Sequence, residues 1–140
     1  MRAGVFGMAL LLSVGVAAAC GSSSTIAKPT GHTVTVADAD SGRTVNAHRG
    51  DTVVISLADP GDDGYAYRFG TQASAKVLTY EGFTHQAPPT SNPQPLGNFG
   101  KDVYKYKAIA AGTTTIDLDQ VRPSGGDRGS SFKVTIAVSK

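Results

Sequence analysis

Apolar and polar residues alternate along most of the chain from Thr33 onward. In the segment TVVISL (52–57), for example, Val53, Ile55 and Leu57 share one face of an extended chain. This two-residue period is typical of half-buried β-strands, and no stretch keeps the 3.6-residue period of an amphipathic helix. The sequence therefore predicts an all-β domain of about seven or eight short strands, packed as an immunoglobulin-like antiparallel β-sandwich.

The same alternation predicts which side chains form the core of the sandwich. The residues expected to point inward are Val53, Ile55, Leu57, Tyr67, Phe69, Tyr106, Ile116, Leu118, Phe132, Val134 and Ile136. The pattern is interrupted between residues 84 and 100, where four prolines and two glycines occur. Because proline cannot donate a hydrogen bond to a β-ladder, this segment is predicted to be an unpaired connection.

The first twenty residues have the composition of an export signal. Arg2 precedes an apolar stretch from Val5 to Val16 that is too short for a stable membrane span, and small residues precede Cys20. This arrangement resembles a lipobox, which implies cleavage before Cys20 and acylation of its thiol. The alternative is ordinary cleavage after Ala19, which would leave Cys20, the only cysteine, as a free or intermolecularly paired thiol.

The N-terminal prediction divides the chain into three parts. These are a signal peptide (1–19), a lipidated Cys20 with a flexible tether (20–31), and one domain (32–140). The tether is expected from its small, polar, Pro-containing composition. We therefore expect an exported protein that is anchored by lipid to the cell membrane and faces outward.

Charge and motifs exclude several functions for the processed chain. Removal of residues 1–19 takes away Arg2 and leaves a net charge of about +1, which is not the signature of a nucleic-acid binder. The sequence contains neither a nucleophile elbow nor a Gly-rich phosphate loop between a strand and a helix. We therefore predict neither an enzyme nor a cofactor.

Metal binding is not predicted either. The three histidines, His32, His48 and His85, are placed at the end of the tether, in a turn and in a loop, without the spacing of a zinc site. Aspartates cluster at 38–40 and 59–63 and have the oxygen atoms that calcium prefers, but neither segment is a complete calcium loop. Aspartates at turns also accept hydrogen bonds from local backbone donors, and we favour that interpretation.

Three segments between strands stand out as candidate binding loops. They are DPGDDGY (59–65), the end of the Pro-rich connection with GNFG (97–100), and RPSGG (122–126). In an antiparallel sandwich alternate connections lie at the same end, so these loops are expected to form one continuous surface. Loops that a rigid scaffold positions are frequent binding sites.

Two longer segments resemble the chagasin-like inhibitors of papain-family cysteine proteases. They are GDTVVISLADPGDDGYAYRF (50–69) and YKYKAIAAGTTTIDLDQVRP (104–123), and the resemblance extends over about residues 33–140. It implies an immunoglobulin-like monomer that enters the cleft of a papain-like cysteine protease with three loops. It also implies reversible blockade without covalent chemistry.

The resemblance also implies which residues contact the protease. They are Asp59, Pro60, Asp62, Asp63, Gly64, Tyr65, Gly97, Asn98, Phe99, Gly100, Arg122, Pro123 and Ser124. Three features depart from the family pattern. Asp62 and Asp63 replace two threonines, Phe99 replaces a glycine of the second loop, and Ser124 replaces the aromatic residue after Arg-Pro.

Two alternatives remain open from the sequence. The domain is either an inhibitor or an immunoglobulin-like binding or assembly module of the cell envelope with another partner. In the second case Gly64 would serve a turn, Tyr65 would fill the core, and Arg122 would cap a strand end.

Overall fold

The computed structural model describes residues 31–61, 64–93 and 95–140. It contains eight strands: β1 (Thr33–Ala37), β2 (Thr44–His48), β3 (Thr52–Ala58), β4 (Ala66–Thr71), β5 (Leu78–Gln86), β6 (Lys101–Ala108), β7 (Gly112–Val121) and β8 (Arg128–Ser139). One turn of 3₁₀ helix (Asp38–Asp40) links β1 to β2. Across these three ranges no helix combines the length and hydropathy needed to cross a bilayer. The predicted signal peptide, the lipid site at Cys20 and nearly all of the tether lie outside the described residues.

The strands form two four-stranded sheets, in the orders β1-β3-β6-β5 and β2-β8-β7-β4. The all-β sandwich predicted from the sequence is thereby confirmed. Two edge strands depart from the antiparallel pairing of the others: β1 pairs in parallel with β3, and β2 pairs in parallel with β8. The short connection through Asp38–Asp40 carries the chain from one sheet to the other. Each of these two strands therefore lies beside a strand that runs in its own direction.

The core between the sheets contains most of the residues that the alternation predicted. Nine of them are at most 4% exposed: Val53, Ile55, Leu57, Tyr106, Ile116, Leu118, Phe132, Val134 and Ile136. Tyr67 and Phe69 also pack against this core, as their inward positions predicted, but they are only half-buried. They lie on β4, an edge strand, where one side of the ring has no neighbouring strand to cover it.

The fifth strand is longer than the sequence predicted. Thr84, His85 and Gln86 pair with the first residues of β6, so the unpaired connection spans 87–100 and not 84–100. These three residues precede the first proline of the segment, and their backbones remain free to form the ladder. His85 consequently lies in a strand and not in a loop.

The end of the sandwich at which β1 begins is stabilised by a buried carboxylate. Asp51, only 3% exposed, accepts hydrogen bonds from the backbone N–H groups of His48 (2.7 Å) and His32 (2.9 Å). The hydrogen bond from His48 contributes most to a pKa of Asp51 below its ordinary value, while burial acts in the opposite direction. These bonds fix the start of β1 to the turn between β2 and β3.

Candidate functional site

Two of the candidate loops leave neighbouring strands of one sheet. Ala58 at the end of β3 pairs with Lys101 at the start of β6, and Lys101 also pairs with Gln86 at the end of β5. The connections that begin or end at these positions are residues 59–65, here called loop 1, and residues 87–100, here called loop 2. The register of the sheet therefore places the two loops side by side.

The third candidate loop leaves the other sheet at the same end of the sandwich. Ala66, which follows loop 1, pairs with Val121 at the end of β7, and Val121 pairs with Arg128 at the start of β8. The connection between β7 and β8, residues 122–127, is loop 3. Loops 1, 2 and 3 together form a surface that we call the tip, as the alternation of connections predicted.

Loops 1 and 2 contact each other directly. The backbone N–H of Asp59 donates to the carbonyl oxygen of Gly100 over 3.1 Å. Gly61 has a φ of +71°, and a Cβ atom at this position would overlap the ring of Phe99. The half-buried Phe99 ring therefore supports loop 1 at a point that only glycine can occupy.

The carboxylate of Asp59 is directed into the tip. Its Oδ1 accepts a hydrogen bond from the backbone N–H of Gly61 at 2.8 Å, and its Oδ2 lies 3.4 Å from Nδ1 of His85. The resemblance implied a contact between Asp59 and a protease, but both carboxylate oxygens have neighbours within the domain. In this structure Asp59 shapes loop 1.

Loop 3 contacts loop 1 through a cation–π interaction. The guanidinium carbon of Arg122 lies 4.7 Å from the centre of the Tyr65 ring. The backbone N–H of Gly125 donates to the carbonyl of Arg122 at 3.0 Å and closes a turn that contains Pro123 and Ser124. Arg122 and Tyr65 therefore support each other within the tip, and Tyr65 does not belong to the core that the second interpretation assigned it to.

The residues predicted to contact a protease differ in their exposure to solvent. Gly64, Gly97, Asn98, Arg122, Pro123 and Ser124 are exposed, whereas Asp59, Pro60, Tyr65, Phe99 and Gly100 are half-buried. Asp62 and Asp63 lie outside the described residues. The exposed set belongs to all three loops, so the outer face of the tip is available to a partner.

Leu96 belongs to the tip but was not predicted as a site residue. It is the most exposed of the large apolar side chains in the described ranges, with a relative exposure of 102%. An isolated apolar residue in a segment rich in proline and glycine is the sequence signal that could have identified it. Its position next to Gly97 adds an apolar side chain to the exposed part of loop 2.

Comparison with known proteins identifies one family. The family profile described as chagasin family peptidase inhibitor I42 matches residues 46–137, a range that includes all three loops. No curated protein sequence is significantly similar to the chain.

Among solved structures, the chain is similar to the cysteine protease inhibitor EhICP2 from Entamoeba histolytica, with 19% identity and a TM-score of 0.64 over 80% of this chain and 100% of that one. It is also similar to Amebosin, with 20% identity and a TM-score of 0.57 over 77% of this chain and 98% of that one. At these identities the two structures show a shared fold. Since the profile covers more than half of the sequence, the chain belongs to the chagasin family, whose members inhibit peptidases and are not enzymes.

Proposed function

We propose that this protein is a reversible inhibitor of papain-like cysteine proteases and that its tip blocks the active-site cleft. The proposal rests on the contacts of loop 1 with loop 2 and with loop 3. These contacts hold the loops together and leave one exposed face to which all three loops contribute. Membership of an inhibitor family and the shared fold with a cysteine protease inhibitor of Entamoeba histolytica support the same target class.

The contacts within the tip favour tight binding because they exist before the partner arrives. Phe99 lies against Gly61, the N–H of Asp59 is bonded to Gly100, and Arg122 lies over Tyr65. Ordering a flexible loop on binding costs free energy, and a loop that is already held in place avoids most of that cost. The described parts of the three loops are therefore held in position before a protease binds.

The parts of the tip have different chemical roles in this proposal. Gly64 is exposed and has a φ of +74°, and among the described residues other than its chain neighbours no atom lies within 4 Å of its Cβ position, so its backbone is open to a cleft. Leu96 in loop 2 and Pro123 in loop 3 provide apolar contacts on either side. Inhibition follows from steric exclusion of substrate and requires no covalent bond to the protease.

The test is inhibition kinetics of residues 28–140 against a panel of papain-type proteases. We expect competitive and reversible inhibition, and binding to a protease whose catalytic cysteine has been blocked by a small group. Ser124→Trp should improve the affinity about ten- to thirty-fold, because an aromatic ring at an exposed position of loop 3 adds buried apolar area to the interface.

The matched control is Ala75→Trp. Ala75 is also a small exposed residue, but it lies between β4 and β5 at the end of the sandwich opposite the tip. This variant should inhibit like the wild type. If neither the wild type nor Ser124→Trp binds any protease of the panel at high micromolar concentration, the domain is better explained as an envelope module with another partner.

We also propose that Cys20 is acylated and anchors the domain to the membrane. The proposal is supported by the composition of residues 1–20, which resembles a lipoprotein export signal, and by the point at which the chain enters the domain. The N–H of His32, just before β1, is bonded to Asp51 at the end of the sandwich opposite the tip. A tether attached at that end would leave the tip directed away from the membrane and accessible to a protease.

Acylation can be measured by metabolic labelling of cells with a fatty-acid analogue. The wild-type protein should carry the label, and Cys20→Ser should carry none because it lacks the thiol that is modified. Ser22→Ala, which changes a neighbouring residue and keeps Cys20, should be labelled like the wild type. Equal labelling of Cys20→Ser and the wild type would contradict the proposal.

A further inference from the structure

Three potential metal ligands meet at the root of the tip. Asp59 is the first residue of loop 1, and His85 and Asp102 are opposite each other in the β5–β6 ladder. Nδ1 of His85 lies 3.0 Å from Oδ1 of Asp102 and 3.4 Å from Oδ2 of Asp59. The three groups can each provide a ligand atom within 4.8 Å of the other two.

The charges at this point are not balanced by the protein residues described around them. Asp102 is only 8% exposed, and within the described ranges its carboxylate has one hydrogen-bonding partner, His85. Two carboxylates converge on a single ring nitrogen, which carries at most one proton and can donate it well to only one of them. Burial of a carboxylate is costly unless its charge is compensated, so the arrangement favours a cation.

We propose that Asp59, His85 and Asp102 form a binding site for a divalent transition metal, with Zn²⁺ as the best-fitting ion. Tetrahedral zinc with bonds of about 2.0–2.1 Å requires neighbouring ligand atoms to be about 3.3 Å apart, close to the separations of 3.0 and 3.4 Å found here. An imidazole nitrogen among the ligands favours zinc over magnesium or calcium, which prefer oxygen alone.

The surroundings of the site are consistent with metal binding. Oδ1 of Asp59 accepts the N–H of Gly61, which orients the carboxylate and leaves Oδ2 directed at His85, as outer hydrogen bonds do in metal sites. The side chain of His85 is 43% exposed, so an ion can enter and a water molecule can complete its coordination. A bound ion would link the end of β3 to β5 and β6, at the base of loops 1 and 2.

The site can be tested by calorimetric titration of zinc chloride into the full chain, purified in detergent and freed of metal with a chelator. All variants carry Cys20→Ser, because a free thiol would bind zinc by itself. We expect one zinc ion per chain. At a hundred-fold excess of zinc over the dissociation constant, the unfolding temperature should rise by roughly 10 °C.

Removal of a ligand should abolish this effect. His85→Gln and Asp59→Asn should each weaken zinc binding at least about 100-fold, since even outer-shell changes cost 10- to 100-fold. His48→Gln is the matched control, because His48 lies 3.6 Å from a single carboxylate, Asp51, at the opposite end of the sandwich. That variant should bind zinc like the reference protein.

A second measurement uses the protein with all three ligands intact, so it does not depend on whether the ligand variants fold. Co²⁺ in place of Zn²⁺ should give the intense visible absorption of a tetrahedral site, and zinc should displace it. Absence of saturable zinc binding and of this absorption would overturn the proposal, as would wild-type affinity in His85→Gln. Because neither readout involves a protease, failure of the metal site is distinguishable from failure of the inhibitor proposal.

Discussion

Replacing Gly61 by valine should lower the affinity for a papain-like protease about 100-fold or more, equivalent to about 2.7 kcal/mol. Gly61 has a positive φ, and the ring of Phe99 occupies the space that a Cβ atom would need. Valine must therefore push Phe99 away or change the backbone of loop 1. Either movement displaces two of the three loops together and removes the fixed shape on which the proposed inhibition depends.

The loss of affinity should exceed what a side chain at positive φ causes by itself, and Gly42→Val is the control for that general cost. Gly42 lies outside the three loops and has a φ of +80°, close to that of Gly61, but among the described residues other than its chain neighbours no atom lies within 4 Å of its Cβ position. Both variants carry the backbone penalty of a side chain at positive φ, roughly 1–2 kcal/mol. Only Gly61→Val should lose inhibition, measured as the inhibition constant at a temperature where circular dichroism shows both variants to be folded. Full inhibition by Gly61→Val would show that the shape of loop 1 does not determine binding.

The sequence predicted the core well because burial in a sandwich follows the side-chain alternation of each strand. Val53, Ile55 and Leu57 are inaccessible to solvent for this reason. Alternation identifies the inward face of a strand but not its neighbours. The parallel pairing of β1 with β3 and of β2 with β8 depends on strand order, and so does the partial exposure of Tyr67 on an edge strand. The alternation pattern does not contain strand order.

The sequence predicted which loops form the site, but it did not predict the contacts between them. Turn residues and alternate connections indicated that loops 1, 2 and 3 share one end, and the register of both sheets places them there. The contact of Phe99 with Gly61 and that of Arg122 with Tyr65 join residues 38 and 57 positions apart. The cluster around His85 escaped prediction because β5 extends further into the Pro-rich segment than its composition suggested.

Truncation of the core should have the largest effect on stability. Leu118→Ala and Ile55→Ala should each lower the free energy of unfolding by about 2–5 kcal/mol, since both side chains are fully buried. Leu118 pairs in register with Phe69 and Phe132, and Ile55 pairs with Val36 and Tyr104. The two positions test one sheet each. Neighbours on both sides limit how far the structure can relax into the space that is left.

Urea denaturation would measure these losses against Lys105→Ala. Lys105 is exposed and forms an ion pair with Glu81 at 3.3 Å, so its removal should cost less than about 1 kcal/mol. Similar losses at Leu118 and Lys105 would show that the register of the sandwich is wrong.

The core and tip variants should also separate stability from inhibition. Leu118→Ala changes the interior between the sheets and leaves the contacts of Phe99, Arg122 and Asp59 in place, so its folded fraction should inhibit a protease like the wild type. Gly61→Val should show the opposite behaviour: its stability should be at or below that of Gly42→Val, because its side chain also displaces Phe99, and its folded fraction should show a large loss of inhibition. Loss of inhibition in the folded fraction of Leu118→Ala would mean that the geometry of the tip depends on core packing as well as on contacts among the loops.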